Sequence, residues 1–176
     1  MDNEAVLIAL GSNLEGVFGS SKALLAAALE GFAAHGLTVL KRSSWWRSAS
    51  WPDASAPDYL NGVVMVETAR SPGEVLQTLN TLEGRFGRRR DVRNAPRTLD
   101  LDLIAHGRIV MAGADLVLPH PRAAERLFVM GPLAEIAPDW VHPVLGETAA
   151  ALAAKASVGT DARPIQPPLA GTQTSP

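Results

Sequence analysis

The sequence predicts a single α+β domain in which an antiparallel sheet carries helices on one face. Three observations support this. The chain has 176 residues, 47% of them hydrophobic, which is enough for one substantial core and short for two. Strand-like and helix-like segments follow one another in the order strand, helix, strand, strand, helix, strand, strand. The two helix-like segments also carry their own start or stop signals.

The elements are justified in order. Residues 5–10 form an apolar run ending at Gly11, Ser12 and Asn13, which reads as a buried strand closed by turn residues. Residues 20–34 are alanine-rich and apolar throughout, and Gly36 just beyond marks a helix stop. A second strand spans 37–46. After the loop-like stretch 48–57, the valine-rich residues 59–68 form a third strand. Ser71, Pro72 and Glu74 then supply the N-cap, the first-turn proline and the capping-box partner of a helix that reaches about Phe86.

Residues 87–96 are polar and arginine-dense and read as a mobile surface loop. Residues 98–104 alternate in strand fashion. His106 and Gly107 turn the chain into another strand-like stretch, 108–118, broken near Ala112 and Gly113, so a hairpin is expected. A short helix over 126–136, interrupted near Gly131 and Pro132, and a last one over 148–156 complete the series. This order is the split pattern of a ferredoxin-like α+β domain, with helices packed on one face of the sheet plus a C-terminal hairpin and short helices. The domain is expected over 1–158, and the proline-rich residues 159–176 are expected to be a disordered tail.

Composition narrows the function. A net charge of -2 argues against a surface built throughout for nucleic acid. No apolar run approaches the length that spans a bilayer. The acidic start, Met1, Asp2, Asn3 and Glu4, lacks the basic flank of a secretory signal, so a cytoplasmic location is expected. Without cysteine there are no disulfides, thiolate nucleophiles or thiolate metal sites, and any bound metal must take oxygen or imidazole ligands.

The stretch TLDLDLI over 98–104 carries the strongest chemical signal. Alternation points Leu99, Leu101 and Leu103 into the core and projects Asp100 and Asp102 together on the other side. Two carboxylates on one face repel unless a cation lies between them, and magnesium in phosphoryl-transfer sites is held by one or two carboxylates plus water and substrate phosphates. The plain alternative is an amphipathic strand with its polar side in water. Arg85, Arg88, Arg89, Arg90, Arg93 and Arg97 crowd the preceding helix end and loop. Guanidinium forks match phosphate oxygens, so a positive loop beside an acidic strand suits a magnesium-polyphosphate substrate. Alone, such a run is more often a solvated face or a nucleic-acid patch.

No P-loop and no protein-kinase signature occurs. Gly11, Ser12 and Asn13 read as a plain turn. His120, held between Pro119 and Pro121, is placed to donate to a phosphate oxygen, although an isolated loop histidine is more often a surface residue; His106 and His142 read as ordinary turn residues. Tyr59 and Asn61 pair an aromatic face with an amide, a detector for a flat heterocycle.

Together the segments ALGSNL (9–14), DYLN (58–61), PRTLDLD (96–102), LPHPR (118–122) and RLFVMGPLAEIAP (126–138) closely resemble the 6-hydroxymethyl-7,8-dihydropterin pyrophosphokinase family, over roughly residues 6–146. The resemblance implies transfer of pyrophosphate from ATP to 6-hydroxymethyl-7,8-dihydropterin, releasing AMP, in folate biosynthesis. It implies that Asp100 and Asp102 bind two magnesium ions bridging the ATP phosphates, and that Arg88 and Arg90 close on those phosphates from a moving loop. Arg97, His120 and Arg126 would also reach the nucleotide, with Glu83 and Leu103 near its adenosine part. The pterin would stack between Tyr59 and Phe128, its edge read by Asn61 and by the loop around Ser48, Ala49 and Trp51. The family resemblance also implies a monomer.

Two departures stand out. Asn94 and Ala95 occupy the place where family members often carry Trp-Gly, and Ser48 and Ala49 replace a commoner Thr-Pro. The competing reading is an RNA-binding module of the same fold using the arginine loop, but such modules display stacking aromatics and this chain has few.

Overall fold

The computed structural model describes residues 2–13, 20–50, 55, 57–86 and 99–165. Among these, strand β1 (Val6–Ser12) leads to helix α1 (Ser21–Ala34), then β2 (Thr38–Arg42), β3 (Trp46–Ser48), β4 (Tyr59–Glu67), α2 (Pro72–Arg85) and β5 (Asp100–His106). Two short strands follow, β6 (Met111–Ala112) and β7 (Val117–Leu118), then α3 (Leu127–Ile136), α4 (Ala149–Lys155) and β8 (Arg163–Pro164).

The main sheet has the order β5-β1-β4-β3-β8, with β2 also pairing β4. Every described pairing within it is antiparallel. Strands β1 and β4 therefore lie side by side at the centre although a helix and two strands separate them in sequence. This is the ferredoxin-like arrangement.

Local chemistry explains the helices. Ser20 caps α1, its hydroxyl accepting from the Ala23 amide at 3.1 Å, and Leu24, Leu25, Ala28 and Phe32 form the buried stripe. Beyond the helix, Gly36 takes φ +75°, a conformation that favours glycine. The α2 capping box forms as expected: Ser71 Oγ accepts from the Glu74 amide, and Glu74 accepts from the Ser71 amide at 2.7 Å. Both helices pack on one face of the sheet, against Val6, Ile8, Leu10, Val64, Val66, Leu99, Leu101 and Leu103. Helices α3 and α4 cover the other face, packing Val129, Met130, Leu133, Ala149 and Leu152 against Leu7, Ala9, Val63 and Met65. Both sides of β1 are thus covered over residues 6–10, and all seven of its residues are buried.

Several elements differ from expectation. Strand β1 runs on through Gly11 and Ser12, because both pair with β4 instead of turning. The strand expected over 37–46 is divided: Ser43 Oγ accepts from the Val63 amide at 3.0 Å, and Trp45 lies over Gly62, which together separate β2 from β3. The hairpin falls within 108–118, between β6 and β7, and not against β5. Helix α3 passes through Gly131 and Pro132 as one element; Gly131 has no side chain, so the Trp46 ring packs directly on it.

Residues 159–165, expected to fray, are instead held on the sheet edge: β8 pairs with β3, and the Ile165 amide donates to the Trp45 carbonyl at 2.8 Å. Residues 166–176 lie outside the described set. Among the described residues no helix is long and apolar enough to cross a membrane.

Candidate active site

Strand β5 pairs only with β1 among the described strands, so its outer edge needs other partners. Glu83, buried on α2, meets one of these needs: its Oε1 accepts from the Leu101 amide at 2.9 Å. The His120 amide meets another by donating to the Ile104 carbonyl at 2.8 Å. With β5 so fixed, Leu99, Leu101 and Leu103 enter the α1/α2 core, as the alternation predicts. Asp100 and Asp102 project on the opposite face, one half-buried and the other exposed.

Register then builds a hollow beside the acids. Asp102 lies opposite Ala9, and Asp100 opposite Gly11. Gly11 in turn lies opposite Asn61, and Asn61 opposite Trp46. Two adjacent small positions on β1 leave open floor between the carboxylates on β5 and the amide on β4. Asn61 is buried, its Nδ2 donating to Ser48 Oγ at 2.9 Å. Its Oδ1 faces the space over Gly11, where a Cβ would sit 3.4 Å away.

The cleft over this floor has a volume of about 940 Å³. Its β5 side carries Asp100 and Asp102, and its β3 and β4 side carries Ser48, Ala49, Ser50, Tyr59 and Asn61. The turn before α3 contributes Arg122, Glu125 and Arg126, the start of α3 contributes Phe128, and residues 157–161 form a further wall. From β5 to β3 is three strand spacings, about 14 Å, so the acids and the ring-binding candidates occupy different parts of one cleft.

Charge is arranged to match. The Arg126 guanidinium lies 5.7 Å from the Phe128 ring centroid, a cation–π distance. His120 Nδ1 accepts from the Arg122 amide at 3.2 Å, so the neutral ring carries its hydrogen on Nε2. Burial holds the His120 pKa below its ordinary value. The Asp102 carboxylate opposes that shift, while Arg126 and Arg122 add to it. The charged groups around His120 are thus Asp102, Arg126 and Arg122, while His120 itself is not part of the cleft lining.

Residues 7–138 match the family described as 7,8-dihydro-6-hydroxymethylpterin-pyrophosphokinase. The chain belongs to this family. A 2-amino-4-hydroxy-6-hydroxymethyldihydropteridine pyrophosphokinase of Synechocystis is 50% identical over 113 residues, covering 64% of this chain and 57% of the relative. A protein of the same name from Methylorubrum extorquens is 39% identical over 142 residues, 80% of this chain and 86% of that one. The crystal structure of wild-type Plasmodium falciparum HPPK-DHPS superposes with a TM-score of 0.67 at 12% identity, over 86% of this chain and 44% of that one, and supports the fold. The chain thus spans little more than half the length of the Synechocystis relative.

For this pyrophosphokinase-family chain, the structure brings Asp100, Asp102, Ser48, Ala49, Tyr59, Asn61, Arg126 and Phe128 into one cleft. Glu83 and Leu103 are buried beneath the sheet, outside the cleft lining. Trp51, Arg88, Arg90 and Arg97 lie outside the described residues. Sequence reasoning missed the lining by Glu125 and residues 157–161. The sheet face that an RNA-binding module would leave free for stacking is here covered by α3 and α4.

Proposed function

We infer that the chain transfers pyrophosphate from ATP to 6-hydroxymethyl-7,8-dihydropterin, giving AMP and the pterin diphosphate. Family membership supports the reaction class, and one observation supports the site: a single cleft is lined by the paired carboxylates of β5 and by Tyr59 and Phe128.

The residues fit magnesium. Asp100 and Asp102 are hard oxygen donors on one strand face, flanked by Ala9 and Gly11, whose small size leaves space for ions. Among the described residues no group of three or more His, Asp or Glu gathers to hold a metal with protein ligands alone. Magnesium in such sites takes its remaining ligands from water and substrate phosphates. Two magnesium ions held there would supply charge neutralisation of the triphosphate when bound.

The chain's own residues do the rest. Arg126 and Arg122, joined by Arg88, Arg90 and Arg97, neutralise phosphate oxygens, and His120 donates from Nε2. Glu83 orders β5 beside the nucleotide, and Leu103 backs the same strand from below. Tyr59 and Phe128 sandwich the pterin, and Asn61, its amide fixed by Ser48, offers Oδ1 to the ring's donor edge, with Ala49 and Trp51 completing that wall. On this reading the hydroxymethyl oxygen attacks the middle phosphorus in line, and positioning and charge neutralisation lower the barrier without a covalent protein intermediate. Asp102 assists departure of the hydroxyl proton. On the family resemblance the enzyme acts as a cytoplasmic monomer.

The test is product identity. With ATP, magnesium and the hydroxymethyl dihydropterin, AMP should accumulate in step with the pterin diphosphate. ADP in its place, or no pterin-dependent turnover, overturns the assignment.

A further inference from the structure

Residues 157–165 follow α4 and return along the β3 edge of the sheet, meeting the Phe128 ring and the Ala49 backbone on the way. The Ser157 and Val158 amides donate to the Glu125 carbonyl at 3.0 and 2.9 Å, and the Leu127 amide donates to the Val158 carbonyl at 2.9 Å. The segment is therefore stitched to the start of α3, one residue before Phe128. Gly159 follows with φ +65°, and a Cβ on it would lie 2.4 Å from Phe128 Cδ1, so its backbone rests directly on the aromatic ring. Two residues on, Asp161 Oδ2 accepts from the Ala49 amide at 2.7 Å. Pairing of β8 with β3 then anchors the far end.

These contacts join two elements that are distant in sequence. Ala49 stands just past Ser48, the last residue of β3 to pair with β4, so its amide lies beyond that ladder. A carboxylate is a strong, charge-assisted acceptor for it. Phe128 stands at the start of α3, and Gly159 sets how far its ring can retreat. Residues 157–161 of this segment also line the cleft itself.

We propose that Gly159 and Asp161 are positioning residues that fix the width of the ring slot, Gly159 by backing Phe128 and Asp161 by holding Ala49. The C-terminal segment thereby tunes affinity for a flat bicyclic ring through residues 159 and 161, separately from the bridge that Val158 makes to Arg126. This rests on reading the Tyr59–Phe128 slot as the pterin subsite.

The test compares Michaelis constants for the two substrates in wild type, Asp161→Ala, Asp161→Asn and Gly159→Ala. In Asp161→Ala, KM for the hydroxymethyl dihydropterin should rise about tenfold while KM for ATP stays within about twofold, the loss of one hydrogen bond to a charged acceptor. Asp161→Asn keeps an oxygen acceptor and should return most of that loss. Gly159→Ala should move the pterin constant in the same direction. An unchanged pterin KM in Asp161→Ala, an equal rise in both constants, or no rescue by Asp161→Asn overturns the proposal while leaving the proposed reaction intact. A wild-type protein that makes no AMP from this pterin removes both.

Discussion

Asp100 stands directly across the β1–β5 ladder from Gly11, and the absence of a side chain at Gly11 keeps open the floor between that carboxylate and Asn61. The acid pair therefore borders a hollow and not a packed surface. On the proposed function, this is where substrate would displace water.

Filling that floor should cost activity before stability. Gly11→Val places methyl groups toward Asn61 Oδ1, where even a Cβ would be at 3.4 Å. The expected result is a fall in kcat/KM for the pterin of at least about tenfold, since displacing a substrate by about 1 Å is enough for such losses. Thermal melting beside wild type checks that the fold persists; an equal loss of both would assign Gly11 to packing.

The carboxylates should behave differently from each other in stability and alike in turnover. Asp102 is exposed, so Asp102→Asn should leave the urea midpoint close to wild type, while half-buried Asp100 has more contacts to lose. Either Asn variant removes one charge from the proposed ion site, and turnover should fall by about 10²–10³. The magnesium concentration giving half-maximal rate should rise. A variant at either position with wild-type magnesium dependence contradicts the metal assignment.

How much of this was readable from the chain depends on whether the signal was periodic. The strand period of two placed Leu99, Leu101 and Leu103 opposite Asp100 and Asp102 without any tertiary information, and the Ser71 capping box announced α2 from three residues. Residues 157–165 were missed for the opposite reason. They run into a proline-rich stretch and so resemble the start of a tail, yet they are held by backbone pairing to β3 and by the Asp161 carboxylate on the Ala49 amide, which no local pattern encodes. The division of β2 from β3 was likewise hidden, because it depends on Ser43 meeting Val63 twenty residues away. His142, which reads as an ordinary turn residue, proves to be a buried acceptor for two amides.

Glu83 makes a separate prediction because its contact is with the fold. Its carboxylate accepts from the Leu101 amide on the edge of the strand that carries both acids. Glu83→Ala leaves that buried donor without this acceptor and should destabilise the protein by about 1–3 kcal/mol in urea titration. Glu83→Gln retains an oxygen and should recover part of the loss. If Glu83→Ala instead raises only the KM for ATP at unchanged stability, the residue acts on the nucleotide directly.

Mild acid should loosen the turn at residues 142–147. His142 is 6% exposed, and its Nδ1 accepts from the Val144 and Leu145 amides at 3.2 and 3.1 Å. Burial lowers its pKa below the ordinary 6.5, Arg108 lowers it further, and Glu147 partly opposes them. A protonated ring has no lone pair on Nδ1 and must release both amides. Because the folded pKa lies below the unfolded one, the unfolded chain takes up the proton first. The stabilisation is therefore complete above pH 6.5 and is lost as pH falls toward the lower folded value. His120, also lowered by burial, adds a loss of the same sign, so wild type alone does not isolate His142. His142→Asn supplies a side-chain oxygen that can accept from the Val144 amide but does not titrate. Urea midpoints measured from pH 7.5 down to the carboxylate range, about 4–4.5, should fall more steeply for wild type than for this variant, and parallel curves would show that His142 does not couple protonation to folding.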